Sequence, residues 1–168
     1  MKNYKSLFIR YKKLMQLSCL IFFCISSSAA SSQILSVRTV QNLNFGAFTQ
    51  TGSSGTVIIS NSGSRSATGG ILPLNLGLTY FQAIFEIEAP AGTIISILNG
   101  SDAVLTGSNG GTMSLHISNS DPLSPFVSAV SPPAKTQVNI GGVLSIGDKV
   151  QSPSGFYTGT FYITFNNE

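Results

Sequence analysis

The 168-residue chain has no tryptophan, one histidine (His116) and two cysteines, Cys19 and Cys24. Only 9% of its residues are charged. Each scarcity excludes something. Both cysteines lie near the front, so residues 31–168 can contain no disulfide and no thiolate metal site. A lone histidine leaves zinc short of ligands. The basic residues of that part, Arg38, Arg65, Lys135 and Lys149, are scattered, whereas a nucleic-acid surface needs them clustered, so nucleic-acid binding is rejected. No long apolar run exists either. The longest, "LMQLSCLIFFCI" from Leu14 to Ile25, has twelve residues, and a membrane-spanning helix needs roughly 20.

That short run has a different meaning. Before it stand Lys2, Lys5, Arg10, Lys12 and Lys13 with no acid, and after it comes "SSSAASS". A basic start, a short apolar run and a small-residue exit describe a secretory signal peptide. Ser28 and Ala30 suit the small positions before a cut, which places cleavage after Ala30. Lipid attachment is disfavoured, because Cys24 follows Phe22 and Phe23, and Cys19 follows Ser18 with Gln16 further back. The chain is therefore expected to divide into a signal peptide over 1–30 and one domain over 31–168, with no membrane span in the mature part. Cleavage reverses the charge. Five of the nine basic residues leave, and four remain against six acids, a net charge of −2.

What the mature part has in plenty is glycine, serine and threonine. All seventeen glycines fall at or after Gly46 and punctuate short runs of alternating character, the pattern of an all-β sandwich or barrel. "ILSVRTVQNLNFG" sets Leu35, Val37, Leu43 and Phe45 against Arg38, Asn42 and Asn44. "GTVIIS" predicts a short strand at 56–60, and the Ser/Gly stretch 60–70 a loop. "TYFQAIFEIEA" turns Phe81, Ala83, Phe85 and Ile87 inward, with Ile84 out of phase. Asn99-Gly100 stands between two apolar runs and predicts a two-residue hairpin turn with positive φ at both positions. "GTMSLHIS" aligns Met113, Leu115 and Ile117 against Thr112, Ser114, His116 and Ser118. Gly141–Gly142 predicts a bulge or tight turn. Four prolines between Asn119 and Pro133 exclude a central strand there and leave a surface connection, with one edge pairing near Phe126–Val130. The last run, "GFYTGTFYITFNNE", points Tyr157, Phe161, Ile163 and Phe165 inward and Thr160, Tyr162 and Thr164 outward.

Catalysis needs convergent titratable groups, and few are available. The strand pattern puts His116 on the outer face between Ser114 and Ser118, without a predicted orienting carboxylate. No G-x-S-x-G elbow accompanies the many serines. "SNSDP" and "NGSD" lack the spacing of a Ca²⁺ loop, and no phosphate-binding glycine motif has its strand–helix context. Asn99-Gly100-Ser101 fits the N-glycosylation pattern, but the hairpin explains it. The expectation is a non-enzyme without cofactor, metal or catalytic residues. Its strands carry few charges, although sheets commonly blunt their edges with lysine or proline. Such a composition suits a secreted protein packed on a surface or into an assembly.

"LNFGAF" (43–48), "GTVIIS" (55–60), "RSATGG" (65–70), "GGVLSIG" (141–147) and "GFYTGTFYITFN" (155–166) occur in that order. Together they resemble domain-of-unknown-function family 4402, small secreted bacterial domains, over about residues 34–167. The resemblance implies a cell-envelope or extracellular β-sandwich of immunoglobulin-like character and brings no catalytic residue with it. The closing run is also distantly similar to the last strand of pilin-like and spore-coat-U-like subunits, in which that strand borders a groove filled by a neighbour's N-terminal extension. Here the penultimate residue is Asn167, not an aromatic, and only Ser31 to Asn42 precede "LNFG".

The leading expectation is a secreted, non-enzymatic β-sandwich of the bacterial envelope or surface, structural or adhesive, located in the periplasm, at the cell surface or outside. The alternative is a fimbrial subunit assembled by strand complementation. Partners are other envelope proteins or copies of itself. An outer-membrane barrel would need aromatic girdles, and the chain has no tryptophan and ends Asn-Asn-Glu.

Overall fold

A computed structural model describes residues 35–168. The expected leader, its cut after Ala30 and both cysteines lie outside the described residues. Within them every regular element is a strand: β1 (Ser36–Gln41), β2 (Phe48–Ile59), β3 (Arg65–Pro73), β4 (Ala83–Glu88), β5 (Ile94–Asn99), β6 (Ala103–Gly107), β7 (Thr112–Asp121), β8 (Phe126–Val127), β9 (Thr136–Ile146), β10 (Tyr157–Thr158) and β11 (Ile163–Asn167). The fold is all-β, as the glycine punctuation predicts.

The strands form two antiparallel sheets. The large one runs β1-β4-β9-β7-β6-β10, with β2 paired to β9 and β3 paired to β2; the small one runs β11-β5-β8. Strand β9 is the axis of the large sheet, and it forks. Its residues Thr136–Ile140 pair with β4, while Gly142–Ile146 pair with β2 along the same edge. Gly141 lies at the fork, where a Cβ would strike the Ile59 carbonyl and come within 2.7 Å of the Ser60 carbonyl carbon. Only glycine lets the two backbones approach so closely. The sequence predicts a bulge or turn here. A register shift does occur opposite Gly141, with the extra residue on the partner: between Ile117 and Ser120 of β7 two residues face this one glycine.

Period-two alternation builds the core. Val57 and Ile59, Ala83, Phe85 and Ile87, Met113, Leu115 and Ile117, and Val138, Ile140, Leu144 and Ile146 are buried on successive strands. Ile95 of the small sheet is buried against them, and Leu35, Leu43, Phe126, Tyr157, Phe161, Ile163 and Phe165 pack around the rim. The closing run, expected as one terminal strand, is instead split between the sheets: Tyr157 lies in β10 on β6, Ile163 and Phe165 in β11 on β5, and Phe161 in the link between them. All four still pack on the core, with Thr160, Tyr162 and Thr164 exposed.

Three expectations are corrected. The Asn99-Gly100 pair makes no hairpin. Asn99 ends β5 and lies opposite Ile163 of β11, the Gly100 amide donates to the Tyr162 carbonyl at 2.9 Å, and neither residue has positive φ. Strand β5 pairs with β11 and β8 and never with β6, so long-range pairing overrides a local turn preference. The hairpin that exists joins β6 to β7 through Ser108–Gly111, with positive φ at Gly110 and Gly111. Second, the stretch 60–70 is not all loop. Only 60–64 turn, closed by Ser60 N–H to Ser64 C=O at 2.9 Å, and β3 begins at Arg65. Third, β7 extends to Asp121, inside the segment read as a connection, because Ser120 and Asp121 still find partners in Ile140 and Asn139. The edge pairing near Phe126 is present as β8, on Ile94 and Ile95.

Candidate functional site

The outer face of the large sheet carries an ordered row of polar side chains. The strand registers bring Ser114, Ser145, Thr56 and Thr68 into one row across β7, β9, β2 and β3, with Val104 of β6 at its end. Outward serines and threonines result from the alternation that turns Leu115, Leu144 and Val57 inward. Neighbouring strands lie about 4.8 Å apart, so the hydroxyls form a ladder. Thr56 and Thr68 share a hydrogen bond of 2.7 Å between their Oγ1 atoms. The next row places His116, Val143, Ile58 and Ser66 side by side.

One end of the ladder opens into a shallow cleft of about 390 Å³, lined by Val104, Thr112, Met113, Ser114, Ser145, Gly147 and Gln151. None of these side chains titrates, so the cleft offers hydrogen bonds and apolar contact without charge. Its rim is tied down locally. Asp148 Oδ1 accepts from the Val150 and Gln151 amides at 2.9 and 2.8 Å, and Ser152 Oγ donates to the Thr112 carbonyl at 2.7 Å.

His116 is exposed, as its strand position predicts, but it does have a carboxylate partner. Its Nδ1 lies 2.8 Å from Asp102 Oδ1, both side chains being more than half exposed. The sequence reading misses this pair because it puts the hairpin at Asn99-Gly100. A turn placed at Ser108–Gly111 would set Asp102 opposite His116, since Ala103 pairs with Leu115. No serine hydroxyl bonds the ring among the described residues; Ser114 and Ser118 sit two positions away along the strand, roughly 7 Å distant. A nucleophile–base contact of about 3 Å, the geometry of acyl transfer, is not formed.

Two other charged groupings have local partners. Glu86 accepts from Arg38 at 2.8 Å and Lys135 at 3.1 Å. The Arg38 hydrogen bond, then that of Lys135, holds its carboxyl below the usual range. Arg65 is directed toward backbone, donating to the carbonyls of Phe45, Ala47 and Leu74, each at 3.1 Å. Burial pushes the Tyr157 hydroxyl above its ordinary pKa, and that hydroxyl donates to the Pro153 carbonyl at 2.6 Å. Among the described residues, no group of three or more His, Cys, Asp or Glu side chains could hold a metal. No helix there is long and apolar enough to cross a membrane.

The two curled antiparallel sheets around one core place the molecule among β-rich sandwich domains. The chain belongs to the family described as Domain of unknown function (DUF4402), whose model matches residues 35–166. No curated protein and no solved structure matches it.

Proposed function

We propose that this protein is a secreted, non-enzymatic module of the bacterial cell envelope or surface, with a structural or adhesive role. The observation that carries the proposal is the hydroxyl ladder of Ser114, Ser145, Thr56 and Thr68. A broad sheet face with donors and acceptors at strand spacing suits contact with an extended neutral polar surface better than it suits chemistry on one small molecule. To test the role, cells producing wild type or the Thr56→Lys/Ser145→Lys double variant are compared in surface attachment, after fractionation and N-terminal sequencing. Export, an N-terminus near Ser31 and reduced attachment by a variant of unchanged melting midpoint are expected. Retention in the cytoplasm with the leader intact, or unchanged attachment, would contradict the proposal.

A second reading, a fimbrial subunit completed by a strand from another copy, is favoured by one observation. Ile163 and Phe165 on the terminal strand, and Phe161 just before it, pack against the core yet are only half-buried. Size-exclusion chromatography separates the two readings. A cooperative monomer favours the first, and a ladder of oligomers the second.

A further inference from the structure

The connection from β3 to β4 carries an apolar tip. Within "ILPLNLGLTY" Leu76 is 67% and Leu78 56% exposed, and Tyr80 is 39% exposed behind them. Gly77 makes the turn between the two leucines with φ of 74°, and a Cβ built on it would meet nothing within 4 Å. The left-handed conformation that glycine tolerates therefore turns the chain between two exposed leucines. No charged residue occurs from Ser66 to Phe85.

The base of this loop is fixed, unlike that of a slack connection. Leu74 N–H donates to the Ala47 carbonyl at 2.9 Å, and Asn44 and Phe81 exchange two backbone bonds of 2.9 Å. The Arg65 guanidinium satisfies the carbonyls of Phe45, Ala47 and Leu74 and lies 4.2 Å from the centre of the Tyr80 ring. The Arg65 guanidinium is thus engaged at the base of the loop, donating to backbone acceptors with its face against an aromatic. These bonds fix the foot of the loop.

We infer that the Leu76–Gly77–Leu78 tip is a lipid-anchoring point that dips into the interface of a bilayer. A protein partner fits less well. Two leucines and part of a tyrosine offer on the order of a few hundred Å², short of the ~800 Å² each side buries in a stable protein complex. The peptide groups of the tip stay at headgroup depth, where water reaches them, and Tyr80, part-exposed two residues after Leu78, is amphipathic as residues at that level are. This inference goes beyond the envelope role proposed above and does not need it. Mislocalisation in cells would refute that role, whereas vesicle binding in vitro tests the loop alone.

The experiment is flotation of the processed, secreted protein with vesicles of mixed phosphatidylethanolamine and phosphatidylglycerol, and with neutral phosphatidylcholine vesicles. Wild type should float with both, with little dependence on salt, because the tip is uncharged. Leu76→Ser/Leu78→Ser should reduce partition at least about tenfold, given what burying large apolar side chains is worth, at an unchanged melting midpoint. Val150→Ser and Phe156→Ser, which remove exposed apolar groups elsewhere, should leave it unaltered. The absence of tryptophan makes Leu78→Trp a clean reporter, whose emission should shift to the blue on vesicles. Wild type that stays in solution overturns the inference. So does flotation that the double serine variant retains, that high salt abolishes, or that Val150→Ser and Phe156→Ser reduce equally. A self-association without vesicles that Leu76→Ser/Leu78→Ser abolishes would also overturn it, by assigning the tip to a protein contact.

Discussion

The two sheets bury their inward faces to different depths. On the large sheet Val57, Ile59, Val138 and Ile140 are withdrawn wholly from solvent. On the small sheet only Ile95 is, while Ile97, Phe126, Ile163 and Phe165 remain half-buried. Three strands cannot cover eight. The large sheet therefore supplies most of its own core by curling around the fork of β9, and the small sheet acts as a partial lid. Strand β11 is joined to that core through a few large contacts, such as Phe85 and Phe165 with ring centres 5.4 Å apart. Position along the chain says little about this. The fork is made by residues 136–146 and the lid by 94–99, 126–127 and 163–167.

The comparison breaks most directly at the fork. Ile140 is fully buried where β4, β7 and β9 meet. Ile140→Ala should cost about 2–5 kcal/mol, a large share of the ~5–15 kcal/mol stability of a domain. Urea unfolding of purified protein measures it. A loss below about 1 kcal/mol would show that the large sheet does not hold the core as described.

The lid gives the intermediate test. Phe165→Ala should cost about 2–3 kcal/mol, under the usual range for a phenylalanine because half the ring is already wet. Tyr162→Ser on the opposite face should stay within about 0.5 kcal/mol. Comparing the two denaturation midpoints decides the facing of β11. If Tyr162→Ser proves the costlier, the strand is turned the other way.

Much of this is legible in the sequence, for an identifiable reason. Alternation is a local property, so the inward sets Met113, Leu115, Ile117 and Phe161, Ile163, Phe165 can be read from their own short runs. Register is not local. The hydroxyl ladder needs Ser114, Ser145, Thr56 and Thr68 to align across four strands, and nothing in "GTVIIS" or "GTMSLHIS" states which residues face which. The same limit explains the Asn99-Gly100 error. The dipeptide has turn chemistry, but β11, far later in the chain, claims Asn99 as a strand residue. Leu76 and Leu78 escape notice because a leucine every second residue looks like a strand, and only the turn at Gly77 shows that no strand forms there.

A sharper probe of the junction between the sheets is Asn99. Its Nδ2 donates to the Ile117 carbonyl at 3.1 Å and the Ser118 carbonyl at 3.3 Å, linking the small sheet to the irregular stretch of β7. Asn99→Ala should cost about 0.5–1.5 kcal/mol, the net value of an ordinary hydrogen bond. It should also speed amide exchange at the end of β5. Unchanged stability and unchanged exchange would mean that the two sheets are joined by packing alone.

The smallest effect belongs to the solvent side of the large sheet. Glu86 lies between Arg38 and Lys135, whose hydrogen bonds lower its folded pKa beneath its unfolded value. A depressed carboxylate contributes stability that is fully present above the unfolded pKa and is lost as pH falls through the folded one. Glu86→Gln mimics the protonated side chain, so wild type should exceed it in melting midpoint at neutral pH, and the gap should narrow in acid as pH falls through the lowered folded pKa. Because the group lies at the surface, salt should narrow the gap at neutral pH as well. Melting curves of both proteins at neutral and acid pH, in low and high salt, measure this. A gap that persists unchanged in acid would show that the substitution disturbs packing on β4, and that the charged cluster contributes nothing to the difference between the sheets.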